Sequence, residues 1–249
     1  MYINEVITQA KARSLKKTAR LAGVLYLISA VFAPFSLIYV PSKIIVSGDS
    51  TATAERMLAN EMLFRTSIAL SILSIILFLF VALVQYKLFE GVNRNLASVM
   101  ALLVIIQVPV GFVIDILGIT SLIIFKGEIM NDMVSGERHS IAMLLLKMSS
   151  NGNFILMTLW GLWLIPFGQL VFRSGFIPRI IGIYLIVNGI TYIITSYTFI
   201  LFPEYKILID RYSFPLLLGE PVIMLWFLIV GVRIKKQTNP AIELKTNVT

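Results

Sequence analysis

The sequence predicts an all-α fold, a polytopic membrane bundle of six transmembrane helices with both termini cytoplasmic. Three observations carry this. Of 249 residues, 58% are hydrophobic and only 14% charged, where a soluble domain has about 25% charged residues and needs them for its surface. Six runs are apolar over roughly 20 residues or more, the length at which a helix rising 1.5 Å per residue covers a hydrocarbon core of about 30 Å. Basic residues gather in the two tails and in alternate loops, as they do on the cytoplasmic side of a membrane.

The amino-terminal tail, residues 1–20, holds Lys11, Arg13, Lys16, Lys17 and Arg20. The first helix follows at about residues 21–46. Its basic flank and the ATA at 52–54 give it the outline of a secretory signal. A signal core is only about 7–15 residues, so this longer run is expected to stay as an anchor. The second helix covers about 62–89 and the third about 96–125, with Lys87 and Arg94 near their connection. The fourth covers about 141–172, the fifth about 180–202 and the sixth about 214–232. A tail at 233–249 carries Arg233, Lys235, Lys236 and Lys245. Every connection is short, so the chain reads as one integral membrane domain over 1–249.

Thirteen of the 21 Lys and Arg fall on the side of the tails, against three of the 13 acidic residues. This asymmetry orients the chain with its basic side in the cytoplasm, and the expected location is the plasma membrane. The net charge of +8 is thereby topological. Its expected partners are membrane lipids, with anionic headgroups on the cytoplasmic face, and not nucleic acid.

Between the fourth and fifth helices lies VFRSGFIPRIIG, residues 171–182. Arg173, Ser174, Gly175, Pro178 and Arg179 make it a tight cytoplasmic turn. The arginines can snorkel to phosphates, Gly175 supplies backbone freedom, and Pro178 suits the first turn of the next helix. Glycines recur every seven residues around it: Gly161, Gly168 and Gly175, then Gly182 and Gly189, with Gly111 and Gly118 in the third helix. Seven residues is close to two helical turns, so each set shares a face and lets helix backbones approach closely. Packing within the bundle is the expected use; a seam between copies in a homo-oligomer is the alternative.

The chain has no cysteine, which removes disulfides, thiolate metal sites and thiol nucleophiles. The single histidine, His139, stands in a polar stretch and reads as solvated. No phosphate-binding glycine loop, dinucleotide fingerprint or metal-ligand spacing occurs. The NVT at 247–249 is a glycosylation sequon on the side expected to be cytoplasmic. No catalytic set, metal site or cofactor is therefore assigned, and the reading leans away from an enzyme.

The informative residues are charges inside apolar runs. Arg65, Asp115, Lys147 and Glu220 fall on four different helices, and the threading puts all four in the outer half of the membrane. Intramembrane charges face protein or a water-filled cavity and pair with one another, so the four are expected to converge as a polar cluster. Glu220 precedes Pro221, which withholds a backbone donor and kinks helices. Gln107, Ser149, Asn151 and Asn153 offer further hydrogen-bonding groups. In the fifth helix Asn188 and Tyr192 are four apart, hence on one face. The bland alternatives are structural ion pairs and simple interfacial placement, with Arg65 and Lys147 near enough to helix ends to snorkel.

From the fourth helix onward the sequence resembles a known family. The segment WGLWLIPFGQLVFRSGFIPRIIGIYLIVNGITYII, residues 160–194, is similar to the signature of a prokaryotic membrane family, domain of unknown function 4386. The likeness continues in LFPEY at 201–205 and LLGEPVIMLWFLIVGV at 217–232, and is weaker in RLAGVLYLI at 20–28 and GVNRNLA at 91–97. It implies several membrane helices and no defined activity. The family pattern also has GE at the place of Gly219 and Glu220. A histidine often stands early in the fourth helix of the family; the matching place here is Ser149, so imidazole chemistry does not carry over.

Two function classes follow. One is a small-molecule or ion binding or transport protein using the outer polar cluster. The other is a non-catalytic accessory or structural membrane protein whose charges form helix–helix ion pairs. An intramembrane enzyme ranks third, since only a carboxylate pair is present for acid–base work.

Overall fold

The computed structural model describes residues 2–233, with side chains from residue 12 onward. Among the described residues there is no strand. Helix α1, Tyr2–Pro34, runs through a π-helical turn, Phe35–Tyr39, into α2, Val40–Ile44. Then come α3, Ser50–Ala59; α4, Glu61–Phe89; α5, Arg94–Lys126; α6, Ser135–Ser174; and α7, Arg179–Leu201. A 3-10 turn at Pro203–Tyr205 leads to α8, Lys206–Ser213, then a second 3-10 turn at Phe214–Leu218, and α9, Gly219–Ile229. Six helical stretches are long and apolar enough to cross a membrane: 12–44, 61–89, 94–126, 135–174, 179–201 and 203–229.

Three departures from the sequence reading have local causes. The tail 1–20 is helical from Tyr2, because its Lys, Arg, Ala and Leu are good helix formers that extend the first span outward. The connection near residues 47–61 contains α3, started by Asp49, whose carboxylate accepts from the Ala52 amide at 2.9 Å. It is too short to cross a bilayer and buries Thr53, Ala54 and Met57. The last span begins at Pro203, well before Phe214, and is broken into four pieces. Pro215 and Pro221 each withhold a helical hydrogen bond there. In the first span the π-helical turn sits just before Pro41, whose missing N–H leaves the ladder free to widen.

Each helix packs on its chain neighbour: α1 on α4, α4 on α5, α5 on α6, α6 on α7, and α7 on α9. Helix α9 also packs on α1, which closes the six spans into a ring. Two seams show why. On α6–α7, Gly161 faces Gly189 and Gly168 faces Gly182, a hairpin register centred on Gly175. A Cβ at Gly168 would stand 2.6 Å from the Gly182 carbonyl oxygen, so the seven-residue glycine spacing is spent on backbone contact inside the bundle. On α1–α4, Ser29 Oγ lies 2.9 Å from Ser74 Oγ, and Ser36 Oγ donates to the Ser67 carbonyl at 2.8 Å. These serines are also seven apart on both helices, a small, polar seam of the kind that joins helices in lipid.

Two apolar clusters fill the ring. One, around Phe89, Trp163, Phe167 and Phe227, occupies the end where the basic turns lie. The other, around Ile44, Met57, Phe64, Leu122 and Phe125, lies at the opposite end and includes α3. At the basic end the RSGFIPR turn is as expected: Gly175 has φ +70°, Pro178 sits at the N-cap of α7, and the Arg179 guanidinium covers the Phe172 ring at 5.4 Å. Ser174 Oγ donates to the Val171 carbonyl, while Arg173 is exposed. The Arg233 amide donates to the Phe176 carbonyl at 2.9 Å and ties the end of the last span to this turn.

Candidate functional site in the middle of the bundle

Glu220 is the second residue of α9, directly after the break in the last span. A helix start leaves backbone donors without partners. Asn188 of α7 supplies one: its Oδ1 accepts from the Glu220 amide at 3.2 Å. The approach is close enough to require glycine at 219, where a Cβ would lie 2.9 Å from Asn188 Oδ1 and 3.2 Å from the Tyr184 carbonyl oxygen. On the other side of the break the Tyr184 hydroxyl donates to the Pro215 carbonyl. The discontinuity is thus satisfied by α7 side chains.

The Glu220 carboxylate points inward. The hydroxyl of Tyr26, on α1, donates to its Oε2, and the Tyr192 hydroxyl, from α7, lies near the carboxyl group. Tyr26 is 5% exposed and Asn188 0%, and the Asn188 amide nitrogen has no hydrogen-bond partner. Aromatic rings enclose the group. Tyr26 meets Phe78 edge-on at 5.6 Å, Phe78 meets Trp163 at 5.2 Å, and Tyr192 meets Trp160 at 5.9 Å. Tyr26 is nine residues beyond Lys17, and Asn188 nine beyond Arg179. At 1.5 Å per residue that is about 13 Å from the basic end, close to half of a 30 Å hydrocarbon core.

The four charges singled out by the sequence are not ion-paired to one another among the described residues. Arg65 pairs with Glu61 at 2.7 Å, Glu61 with Lys126 at 3.0 Å, and Lys126 with Glu128 at 2.8 Å. Arg65 therefore belongs to a chain of charges across the ends of α4 and α5. Lys147 is exposed on α6, where its long stem can snorkel. Asp115 is 8% exposed on α5, and its Oδ2 has no hydrogen-bond partner. Glu220 pairs with hydroxyls, not with a base. The salt bridges expected among the four are absent among the described residues, since Arg65 is taken up by Glu61 and Lys147 faces outward.

The secondary residues also separate. Asn188 and Tyr192 join Glu220. Gln107 bridges α5 to α6, its amide donating to the Leu103 carbonyl at 2.9 Å and the Leu159 carbonyl at 3.2 Å. Ser149 is half-buried beside Gly118, and its carbonyl accepts from Asn153; Asn151 is exposed. His139 lies within α6, half-buried against the Phe125 ring, rather than in a solvated loop.

Sequence reasoning missed Tyr26, Tyr184 and Gln85. Tyr26 sits in the matched RLAGVLYLI, but a tyrosine in an apolar run gives no sign of which helix it faces. Gln85 is fully buried on α4 with neither amide atom partnered. It is seven residues from Phe78 towards the basic end, close to two turns away on the same face of α4. A glutamine within an apolar run, two residues before Lys87, was a readable signal that went unused.

The arrangement can hold a positive charge or a proton. It has one carboxylate, two phenols, an idle amide donor and no nucleophile poised beside a base. The chain matches the family model described as Domain of unknown function (DUF4386) over residues 21–231. No curated protein and no solved structure matches the chain.

Proposed function

Since the chain belongs to the family of domain of unknown function 4386, whose description carries no activity, we propose from the site itself that it binds and transports a small cation, the proton included, through Glu220. The observation that carries the reading is a carboxylate near mid-membrane, enclosed by hydroxyls and rings, with no basic partner among the described residues. Such a group is costly in lipid and is kept where it meets a mobile charge. Its place at a discontinuous helix supports the same reading, since transporters build midplane sites on broken helices. Gln85, fully buried and unpartnered between the site and the basic end, supports an approach from that end. The basic end faces the cytoplasm of a plasma membrane in this proposal, against anionic headgroups.

The test is proteoliposomes holding a pH-sensitive dye, challenged in turn with a proton gradient, Na⁺, K⁺ and ethylammonium. A protein-dependent change in luminal pH that Glu220→Gln abolishes and Tyr26→Phe slows supports the proposal. Equal fluxes in wild type and Glu220→Gln, or no flux with any probe, defeat it. The accessory reading has one observation in its favour, the Arg65–Glu61–Lys126–Glu128 chain, which joins α4 to α5 without any site between them.

A further inference from the structure

The enclosure of Glu220 is open on one side. The residue is half-buried. Its Oε2 receives the Tyr26 hydroxyl, while Oε1 has no hydrogen-bond partner and, unlike the Asn188 amide nitrogen, is not sealed from water. The opening does not lie towards the basic turns. On that side Phe89, Phe167 and Phe227 are fully buried and Trp163 is 1% exposed. Helices α1 and α9 also meet tightly there: a Cβ at Gly23 would stand 2.9 Å from the Leu228 backbone nitrogen.

On the far side of Glu220 the same two spans part. Helix α9 packs on α1, but the 3-10 turn Phe214–Leu218 packs on α7, α8 and α9, and α8 packs on α7 and the two 3-10 turns. Neither forms a seam with α1. Ala33, seven residues beyond Tyr26 on the same face of α1, and Leu217, in the turn itself, are left half-buried. The inner face of α6 lies behind this gap. Asn153, Trp160 and Phe167 are seven apart and share that face. Phe167 is fully buried in the core and Trp160 meets the Tyr192 ring, so Asn153 points into the ring, about 10 Å farther from the basic turns than Trp160. Its Nδ2 donates to the Ser149 carbonyl at 3.3 Å, and its Oδ1 has no partner and is not sealed either. Asn153 is half-buried, and Ser150, one turn farther out, is exposed.

We propose that the gap between α1 and the Phe214–Leu218 turn is a cation-selective entrance, joining Glu220 to the end opposite the basic turns. This deepens the transport reading, on which its purpose rests. Polar residues inside a membrane bundle face a water-filled cavity or one another, and Asn153 keeps an acceptor free. The two unpartnered oxygens, Asn153 Oδ1 and Glu220 Oε1, are both acceptors, and one belongs to a carboxylate. Between apolar walls such a charge focuses the field and raises the local concentration of cations over anions. Shut towards the basic turns by aromatic rings and open at the far end, the carboxylate faces one side at a time, as alternating access requires.

The chain has no cysteine, so single cysteines in the full protein report on access. The probes are two membrane-impermeant methanethiosulfonates of similar size, one bearing a trimethylammonium and one a sulfonate, applied from the side on which Asn131→Cys reacts. Asn153→Cys should react from that side. Relative to Asn131→Cys, it should favour the cationic reagent about tenfold or more. Glu220→Gln should remove most of that preference, and Ala33→Trp should slow the reaction at 153 without slowing it at 131. The entrance is overturned if Asn153→Cys is inert, if it reacts only from the side of the basic turns, if the two reagents react alike, or if the preference survives Glu220→Gln. Should Asn153→Cys misfold, Met157→Cys, one turn deeper on α6 and half-buried, gives the same reading. Labelling needs no flux, which separates the two ideas. Glu220-dependent flux with inert cysteines sinks the entrance and leaves transport standing; selective labelling without flux does the reverse.

Discussion

Replacing Gly168 by alanine puts a methyl group where α6 and α7 touch backbone to backbone. The new Cβ would lie 2.6 Å from the Gly182 carbonyl oxygen and 2.7 Å from Ile186 Cγ1, against the 3.4 Å at which ordinary contact begins. A carbonyl inside a helix cannot swing away as a side-chain end can, so the two helices must separate. Overpacking of this kind costs about 1–3 kcal/mol. Alanine recovers roughly 0.5–1 kcal/mol of helix propensity, which leaves a net loss of about 1–2 kcal/mol, and Gly168→Leu loses more. Gly111→Ala is the matched control. Its Cβ meets only Ile75, at 2.7 Å from the terminal Cδ1, which can rotate aside, so it should be neutral or slightly stabilising. Reversible unfolding of both variants in mixed micelles gives the comparison. If Gly168→Ala is as stable as Gly111→Ala, the backbone contact is not what sets the helix spacing, and the reasoning from glycine geometry is wrong.

Other expectations are briefer. Glu220→Gln should lower thermal stability, because one carboxyl oxygen becomes an NH2 that cannot accept from the Tyr26 hydroxyl; Lys147→Gln should not restore it, and rescue by that second change would show a pairing absent from the ring described above. Ser29→Ala and Ser74→Ala should each cost about 0.6 kcal/mol, up to roughly 1.7, and the double variant less than the two together, since they share one contact; additive losses in a denaturation cycle would count against the seam. Single cysteines at Asn131 or Lys206 should react with an impermeant thiol reagent on intact cells, and one at Ser174 should not; the reverse pattern inverts the threading.

Legibility varied with what each residue reports. Six spans could be read because length and apolarity are properties of a run, independent of its neighbours. The RSGFIPR turn could be read because Gly175 and Pro178 act on the local backbone. Helix α3 was lost since nothing in STATAERMLA is apolar enough to flag, and its N-cap Asp49 was passed over. The break in the last span was half visible: Pro221 announced a disturbance, Pro215 was passed over, and the apolar count still favoured a single helix. Glu220 was expected beside Lys147 or Arg65, and its side chain meets the Tyr26 hydroxyl instead. A carboxylate in a sequence suggests a base, and only the packing of α9 between α7 and α1 brings Tyr192 and Tyr26 to it instead.

That closure also sets an order of events. Every other seam of the ring joins spans that follow one another, so each can form as the chain enters the membrane. The α1–α9 seam waits for the final span. Until then Tyr26 has no carboxylate, Asn188 has no helix start to cap, and the face of α1 that will hold α9 is open to lipid or to whatever escorts nascent chains. The central site is thus the last thing biogenesis completes, and a chain released early would carry five seated spans and no site at all.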